Sequence, residues 1–367
     1  MNLALFFTYG TSIADWERSG SLDREISIYT RLALHFDTIY FLTYGSDDIQ
    51  YADRLPRNIV ILPKKIRIHN APYSLLLPFL YRENLRSCDW FKTNQMLGSW
   101  GAVIAKKLFG AKLLLRTGYT ESLSPIGKNS FRRAVTHLIE TFAYKYATTS
   151  IVTSEEQKEY LARTYDARNI HVIPNGIDTD HFTPIKDKLA GKKTRLLFVG
   201  RLHPEKNLLN LLDAIRELPV QLLMVGKGPL EPNIRKRAND LDIDLEITPS
   251  IPNSELPATY SAADIYIQPS LYEGNPKTIL EAMSCGLPVI ATDVKGINTI
   301  IQHKENGYLC TTNPSSIREA VTALIHDPNS RLIFGNNARI YIKNNYDMMD
   351  MINTELKIYK TGTDELC

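Results

Sequence analysis

The sequence predicts an α/β protein made of two doubly wound domains, each a parallel sheet with helices on both faces. Three observations support this prediction. Short apolar runs alternate with amphipathic stretches along the whole chain, which is the pattern of buried parallel strands and crossover helices. The alternation restarts at residue 169, where a short strand leads into a Pro-Asn-Gly turn signal at 174–176 and a polar stretch at 186–194, and new strands follow from residue 195. The length of 367 residues is too great for one ordinary core and fits two.

Strands of the first domain are predicted where short apolar runs are bounded by turn residues, at 3–9, 38–44, 58–62, 90–93, 112–116 and 150–153. Helical periodicity between them predicts helices at 24–36, 97–109, 131–146 and 155–165. The alternation then begins again with a strand at 169–173, which leads into the turn signal. We therefore expect the N-terminal domain to span residues 1–168.

The second domain repeats the pattern, with strands predicted at 195–199, 220–225, 245–247, 264–268 and 288–292. Its helices are predicted at 208–217, 231–241, 254–262 and 276–285, and helical patterns continue at 317–326 and 348–359. We expect this domain to span residues 169–345, followed by a C-terminal helical segment at 346–367. Ligands of doubly wound sheets bind at the crevice where the strands end, so we expect a cleft between the ends of the two sheets.

The composition fits a soluble globular protein, with 44% hydrophobic and 23% charged residues. No apolar run reaches the ~20 residues that a membrane-spanning helix needs. The first residues lack the charged start and the cleavage site of a signal peptide. The cysteines are widely separated and show no metal-ligand spacing, so we expect reduced thiols in a cytoplasmic protein; they are Cys88, Cys285, Cys310 and Cys367.

The charge is unevenly distributed along the chain. Residues 1–150 contain 19 Lys and Arg against 12 Asp and Glu, hence +7, whereas residues 151–367 contain 24 against 28, hence −4. The bases cluster at 54–67, at 106–107 and at 128–133. A basic N-terminal half suits an anionic partner, such as a phospholipid surface or a pyrophosphate-linked acceptor. The alternative is an ordinary solvated face. We expect no nucleic-acid partner, because no recognised binding motif accompanies the charge.

The densest chemical signal lies at 269–283, where a strand ends, a loop turns and a helix begins. Asn275 suits the helix cap and Pro276 the first helical position. The start of such a helix presents unpaired amides and a positive dipole end, which suit a phosphate or a polar sugar.

Two carboxylates belong to the same signal. Glu273 precedes the helix and Glu281 lies about two turns inside it, so they reach different parts of one elongated ligand. A carboxylate accepts hydrogen bonds from two hydroxyls at once, as a vicinal diol on a ribose or a hexose offers them. The alternative for Glu281 is an ion pair with Lys277 on the helix surface.

Two weaker signals follow other predicted strands. Gly200 ends a strand, and the turn after it contains Arg201 and Lys206, which suit a diphosphate whose charge grows as a sugar departs. A Gly-Lys-Gly sequence at 226–228 allows close backbone approach to a ligand or forms a plain turn.

In their order along the chain, these motifs resemble the retaining nucleotide-sugar glycosyltransferases of family four, which have the GT-B fold. The resemblance rests on Pro-Asn-Gly-Ile-Asp at 174–178, on Gly200-Arg201 followed by Lys206, on Val-Gly-x-Gly-Pro at 225–229, and on Glu273-Gly-x-Pro. The last motif continues, eight positions after Glu273, into Glu-Ala-Met-Ser-Cys-Gly-Leu-Pro-Val-Ile at 281–290. Together these motifs cover roughly residues 170–310.

The resemblance implies roles for single residues. Arg201 and Lys206 would bind the donor diphosphate, Glu281 the ribose, and Glu273 the transferred sugar. Glu273, Arg201 and Lys206 are therefore the catalytic candidates. The remaining residues assigned to the donor are Gly10, Gly200, Gly226, Ile251 (whose backbone would meet the base), Gly274, Asn275, Pro276 and Lys277. The C-terminal helix would cross back to the N-terminal domain.

The acceptor half matches the family poorly. Many relatives have a Gly-Gly loop after the first strand, where this chain offers only Gly10 and Gly20, and many have a histidine where this chain reads Arg-Thr-Gly-Tyr from Arg116. Gly20, Asn94 and Arg116 are the acceptor-side candidates. The resemblance implies a saccharide or lipid-linked acceptor, and membrane contact through the apolar run 73–80 is one possibility; burial of that run in the core is the other.

The resemblance also implies the chemistry. The acceptor would attack from the face that the leaving phosphate departs from, and that phosphate would take the acceptor's proton, so no protein nucleophile is needed. No Asp-x-Asp stands at a strand end in the pattern of metal-dependent transferases, so we expect no essential metal. No cofactor is implied besides the nucleotide-sugar substrate, with UDP as the default. The alternatives are a nucleotide-sugar epimerase with the same donor pocket, or a non-catalytic partner subunit of the same fold.

Overall fold

The computed structural model describes residues 1–118, 130–185 and 193–362, and of residues 130–133 it describes only the backbone. Most of the polar stretch 186–194 and the base Lys128 lie outside the described residues. The chain forms two compact units. Unit 1 contains Met1–Pro174 and the segment that starts at Met351, and unit 2 contains Asn175–Asp350. The division thus falls after Pro174 and Asp350, rather than after residues 168 and 345.

Unit 1 is built on a parallel sheet with the strand order β3-β2-β1-β4-β5-β6-β7. Its strands are β1 (Asn2–Phe6), β2 (Thr38–Leu42), β3 (Ile59–Leu62), β4 (Trp90–Thr93), β5 (Lys112–Thr117), β6 (Thr149–Val152) and β7 (Ile170–Val172). Its helices are α1 (Ile13–Arg18), α2 (Leu22–Ala33), α3 (Asn70–Leu80), α4 (Arg82–Arg86), α5 (Ser99–Phe109), α6 (Ser130–Tyr146) and α7 (Glu155–Tyr165). The predicted strands are confirmed as elements, whereas the sequence did not predict α1, α3 and α4.

Unit 2 is built on a second parallel sheet with the strand order β10-β9-β8-β11-β12-β13. Its strands are β8 (Thr194–Val199), β9 (Val220–Val225), β10 (Leu245–Thr248), β11 (Ile265–Gln268), β12 (Val289–Thr292) and β13 (Tyr308–Cys310). Its helices are α8 (Leu208–Ile215), α9 (Glu231–Asp240), α10 (Leu256–Ala262), α11 (Lys277–Ser284), α12 (Pro314–His326) and α13 (Pro328–Asn345). The short edge strand β13 is an addition to the prediction.

The alternation of side chains along a buried strand gives the unit 2 sheet a core on each face. Phe198 of β8 faces a core that contains Leu212 of α8. Leu197, its neighbour in the same strand, faces the other core, which contains Met283 of α11. Two parallel sheets, each of doubly wound order and covered on both faces, confirm the predicted fold class.

The last helix, α14 (Met348–Thr361), lies almost entirely in unit 1. Tyr359 packs edge-on against Phe36 and Trp90, with 5.2 Å between ring centroids in both pairs. Glu355 accepts hydrogen bonds from Lys92 of β4 and Arg116 of β5. Among the described helices, none combines the length and the apolar character that crossing a bilayer requires.

Candidate active site

The strand order of unit 2 creates a topological switch point between β8 and β11. Strands adjacent in the sheet continue there into connections on opposite sides, and ligands of doubly wound sheets bind outside the carboxyl ends of such strands. The loop after β8 contains Arg201 and Lys206, and the loop after β11 contains Glu273. The two loops are joined by a bond from the Leu271 amide to the Glu205 carbonyl, 2.8 Å long. The two strongest sequence signals therefore meet at one edge of the sheet.

Glu273 is the centre of a polar network at this edge. Its Oε1 accepts hydrogen bonds from Lys206 Nζ at 2.5 Å, from Gln268 Nε2 at 2.7 Å and from Ser270 Oγ at 2.7 Å. All three bonds end on Oε1, so Oε2 takes no part in them. The side chains of Lys206 and Glu273 are each 12% exposed, which leaves the pair accessible from one side.

Buried side chains hold the network around Glu273 in place through further hydrogen bonds. Gln268 and Ser270 are buried and are 2.9 Å apart between Nε2 and Oγ. Tyr266 donates to Gln268 Oε1 at 2.7 Å, and burial raises the pKa of its hydroxyl, so it stays a neutral donor. Thr292 of β12 donates to the Ser270 carbonyl at 2.5 Å. The Glu273 carboxylate is thus fixed by residues that are themselves hydrogen-bonded.

Arg201 differs from Lys206 in its surroundings. Its side chain is 76% exposed and donates one bond, 3.0 Å long, to the buried carboxylate of Glu205. His203 is the second partner of Glu205. Because Glu205 holds only one of its donor groups, the Arg201 guanidinium has further N–H groups for an anionic ligand at the surface.

Glu281 lies inside α11 and is 1% exposed. Tyr260 of α10 donates to its Oε2 at 2.8 Å. Burial, followed by the charge of Glu281, raises the pKa of Tyr260 well above its usual value, so this tyrosine also remains a neutral donor. Glu281 is therefore held inside α11 and not on a solvated surface.

The start of α11 differs by one residue from the prediction. The helix begins at Lys277 and Pro276 is its N-cap, because ψ of 97° at Pro276 is not helical. Asn275 is therefore not the cap, and its buried Oδ1 has no hydrogen-bond partner. Gly274 is exposed. Helix start, exposed glycine and unpaired amide oxygen leave polar groups at this edge that a ligand could satisfy.

In the two weaker motifs, glycine is required because neighbouring loops approach each other closely. A Cβ on Gly226 would lie 1.9 Å from the Gly200 carbonyl oxygen, and one on Gly228 would lie 2.2 Å from that of Leu202. The close approach that the sequence indicates is therefore explained by contact with the backbone of the neighbouring loop. Ile251 lies after β10, partly buried against the core of α11.

In unit 1 the switch point lies between β1 and β4. Gly10 follows β1 with φ +76°, a conformation that favours glycine. Gly20 has φ +71° and ends α1, its amide donating to the Glu17 carbonyl at 2.9 Å. Gly20 is thus explained as a helix-terminating glycine, and the structure gives no sign of an acceptor role.

The other two acceptor-side candidates have partners inside unit 1. Asn94, directly after β4, accepts a long 3.5 Å bond from the Tyr29 hydroxyl and stays near the switch point. Arg116 donates to Glu355 of α14 at 3.5 Å and is mostly buried. Its observed partner therefore makes Arg116 an anchor for the C-terminal helix.

Sequence reasoning missed Tyr260, Tyr266, Gln268, Ser270, Thr292 and Gly296. Gly296 has φ +82°, and a Cβ there would lie 2.2 Å from the Gly274 carbonyl oxygen, so it allows the loop after β12 to support the loop that contains Glu273. The one sequence feature that could have indicated them is a polar residue at the end of an otherwise apolar strand, as at Gln268. Within the described ranges, no group of three or more His, Cys, Asp or Glu residues is arranged to hold a metal ion.

Comparisons with known proteins agree with this architecture. The family model described as Glycosyltransferase Family 4 matches residues 30–181, and the model described as Glycosyl transferases group 1 matches residues 181–341. Among solved structures, sucrose-phosphate synthase from Thermosynechococcus elongatus superposes with a TM-score of 0.80 at 20% identity, covering 98% of both chains. The Anabaena protein HepE in complex with UDP and glucose gives a TM-score of 0.78 at 16% identity, covering 98% of this chain and 100% of HepE.

Two curated relatives are similar over most of their length. The UDP-Gal:alpha-D-GlcNAc-diphosphoundecaprenol alpha-1,3-galactosyltransferase of Escherichia coli is 28% identical, over 70% of this chain and 71% of its own. An amylovoran biosynthesis glycosyltransferase of Erwinia amylovora is 28% identical over 79% and 82%. Fold and site thus define a GT-B glycosyltransferase that acts on nucleotide sugars. Within that class, the chain belongs to glycosyltransferase family 4.

Proposed function

We propose that this protein is a retaining transferase that moves a hexose from a UDP-sugar to a saccharide or lipid-linked saccharide acceptor during cell-surface polysaccharide synthesis. The observation that carries the proposal is the Lys206–Glu273 pair at the unit 2 switch point, with Arg201 exposed beside it. Cations for a diphosphate and a carboxylate for sugar hydroxyls are what a nucleotide-sugar donor requires.

The proposed donor mode assigns one part of the ligand to each group. The diphosphate binds Arg201 and Lys206, and the transferred hexose donates hydroxyls to Glu273 Oε2. The ribose binds Glu281, which Tyr260 fixes in place. The amides at the start of α11 and the unpaired Asn275 Oδ1 complete the sugar side.

Charge stabilisation is the main contribution of this site to the proposed reaction. As the bond from the anomeric carbon to the diphosphate breaks, the negative charge grows on the phosphate oxygen, and Arg201 and Lys206 stabilise it. The same phosphate oxygen takes the proton of the acceptor hydroxyl, which attacks from the same face. We propose that the two cations replace a divalent metal and that no cofactor takes part.

The names of the relatives support the acceptor class. The Escherichia coli relative is named for a diphosphoundecaprenol-linked acceptor and the Erwinia relative for a polysaccharide. We propose a cytoplasmic protein that associates reversibly with the inner face of the membrane, where such an acceptor would be presented. Because the matched relatives are transferases, transfer is favoured over epimerisation and over a non-catalytic partner subunit.

The test is a donor panel in the presence of EDTA. Pure protein is incubated with UDP-glucose, UDP-galactose and UDP-N-acetylglucosamine and a set of saccharide acceptors, and UDP release and the anomeric configuration of the product are followed by NMR. We expect one donor to raise the melting temperature and to give an α-linked product without metal. A β-linked product contradicts retention, an epimerised sugar without transfer indicates the epimerase, and an unchanged melting temperature with every donor contradicts donor binding.

A further inference from the structure

Helix α3 of unit 1 has an apolar side that is not covered. Its inner side is buried through Tyr73 and Leu77, but Leu75, Leu76 and Phe79 are 50%, 43% and 54% exposed. Positions 75, 76 and 79 are neighbours on one side of a helix. Single exposed apolar side chains are ordinary, whereas three adjacent large ones form a patch that marks an interaction site. The apolar run 73–80 is therefore divided between the core and the surface.

Exposed bases flank this patch at both ends of the helix. Lys65 and Arg67 precede α3, and Arg82 and Arg86 follow it in α4. Lys65 Nζ lies 4.4 Å from the ring centroid of Tyr81, directly after α3, so Lys65 reaches the C-terminal end of that helix. The nearby acid is Glu83 alone among residues 64–87.

We propose that this face, Leu75, Leu76 and Phe79 with the four flanking bases, docks unit 1 on an anionic phospholipid surface. An apolar centre fits the boundary between headgroups and acyl chains, and bases around it fit anionic headgroups. The choice of a lipid surface over a protein partner rests on the charge, because residues 64–87 contain four exposed bases around the apolar centre and a single acid, Glu83. The +7 balance of residues 1–150 supports the same choice.

The position of α3 gives the docking a purpose. Asn70, the first residue of α3, lies at the Gly10 turn that follows β1: its Nδ2 is 3.3 Å from the place of a Cβ on Gly10. Lys64 Nζ donates to Asn70 Oδ1 at 2.7 Å. The docking face therefore adjoins the carboxyl edge of the unit 1 sheet. This purpose rests on the proposed lipid-linked acceptor, but the docking itself does not.

The experiment is flotation of the full chain with vesicles of phosphatidylcholine containing phosphatidylglycerol, and with pure phosphatidylcholine vesicles. We expect binding to the anionic vesicles at low salt and its loss at high salt, because surface charge acts within a Debye length. Leu75→Ser/Phe79→Ser should weaken binding more than tenfold, and each of Arg82→Gln and Arg86→Gln about fivefold. The matched controls, Leu332→Ser/Ile333→Ser and Lys236→Gln in unit 2, alter comparably exposed positions and should not change binding.

Several results would overturn the proposal. These are no flotation with anionic vesicles at low salt, equal binding to neutral vesicles, and binding that the α3 variants do not weaken. A dimer in sedimentation analysis that Leu75→Ser/Phe79→Ser abolishes would assign the face to a second copy instead. UDP binding, measured in parallel, separates this proposal from the proposed function, because either can fail while the other holds.

Discussion

Arg201 and Lys206 belong to one turn, yet the fold places them in different surroundings. Lys206 is held by Glu273 in a half-enclosed position, whereas Arg201 extends into solvent. We predict that Arg201→Ala and Lys206→Ala each lower kcat by ~10², the scale for losing one preorganised charge donor. Steady-state kinetics checks this, with Lys227→Ala in the neighbouring loop as the control. Wild-type turnover in either variant would remove that residue from the diphosphate site.

Gln268 and Ser270 hold Glu273, which the proposed donor mode assigns to the transferred sugar. Each donates to Glu273 Oε1, and the proposed donor mode leaves Oε2 for the sugar hydroxyls. Gln268→Leu and Ser270→Ala should therefore weaken binding of the intact nucleotide sugar by about tenfold, the value of one hydrogen bond to a charged group, and should leave UDP binding unchanged. Thr292→Val removes a bond to the same loop without touching Glu273 and serves as the control. Equal losses for UDP and UDP-sugar would show a general loop effect instead.

At the scale of elements, the loops after β11 and β12 depend on a glycine contact. Gly296→Ala should push the loop that contains Glu273, because its Cβ would lie 2.2 Å from the Gly274 carbonyl oxygen. We expect weaker UDP-sugar binding by calorimetry. Gly110→Ala is the matched control: φ is +80° there too, but no atom lies within 4 Å of its Cβ, so only the backbone strain of ~1–2 kcal/mol remains. Unimpaired binding in Gly296→Ala would show that the loop containing Glu273 can shift without affecting the site.

Helix α14 is attached to the unit 1 sheet by a buried ion pair. Lys92 and Glu355 are almost fully buried, and breaking such a pair costs about 3–5 kcal/mol because a charge is left buried. Glu355 keeps Arg116 and the Tyr359 hydroxyl as partners, so we expect a cost at the lower end of that range. Lys92→Met should lower the stability of unit 1 by that amount, and Lys92→Met/Glu355→Leu should recover most of it. Urea unfolding measures both, with Lys193→Met of the exposed Lys193–Asp244 pair as a near-neutral control. A double variant as unstable as the single one would contradict this view.

The same pair predicts a pH dependence. Burial opposes ionisation of Glu355, but Lys92 and Arg116 outweigh it and lower its pKa below the usual 4.5. A carboxyl with a lowered pKa adds stability above the unfolded-state pKa, and this is lost as the pH falls through the folded-state value. Burial also lowers the pKa of Lys92, so its ammonium carries a cost that the pair only partly offsets. The difference in urea midpoint between wild type and Glu355→Gln should therefore shrink in acid; a constant difference would contradict it.

At the scale of the whole molecule, local pattern was enough for the fold. Apolar runs with intervening helical periodicity predict both sheets because each strand is buried on both faces, as in Leu3 and Leu197. A local pattern could not predict contacts between residues that are far apart in the sequence. The bond from Arg116 to Glu355 spans 239 residues, and the support of Gly274 by Gly296 depends on the order of strands. The donor motifs could be recognised because each is a short continuous segment, and their roles stay a prediction, whereas no such motif marks the acceptor side.

In the proposed donor mode, unit 2 binds a nucleotide sugar through two carboxylates that contact different parts of it. Calorimetry of the full chain with UDP and with UDP-sugar tests this on wild type, Glu273→Ala and Glu281→Ala. We predict that Glu281→Ala weakens both ligands, because the ribose is common to them, and that Glu273→Ala weakens only the UDP-sugar. Equal losses for both ligands in both variants, or unchanged binding of both ligands in Glu281→Ala, would contradict the account.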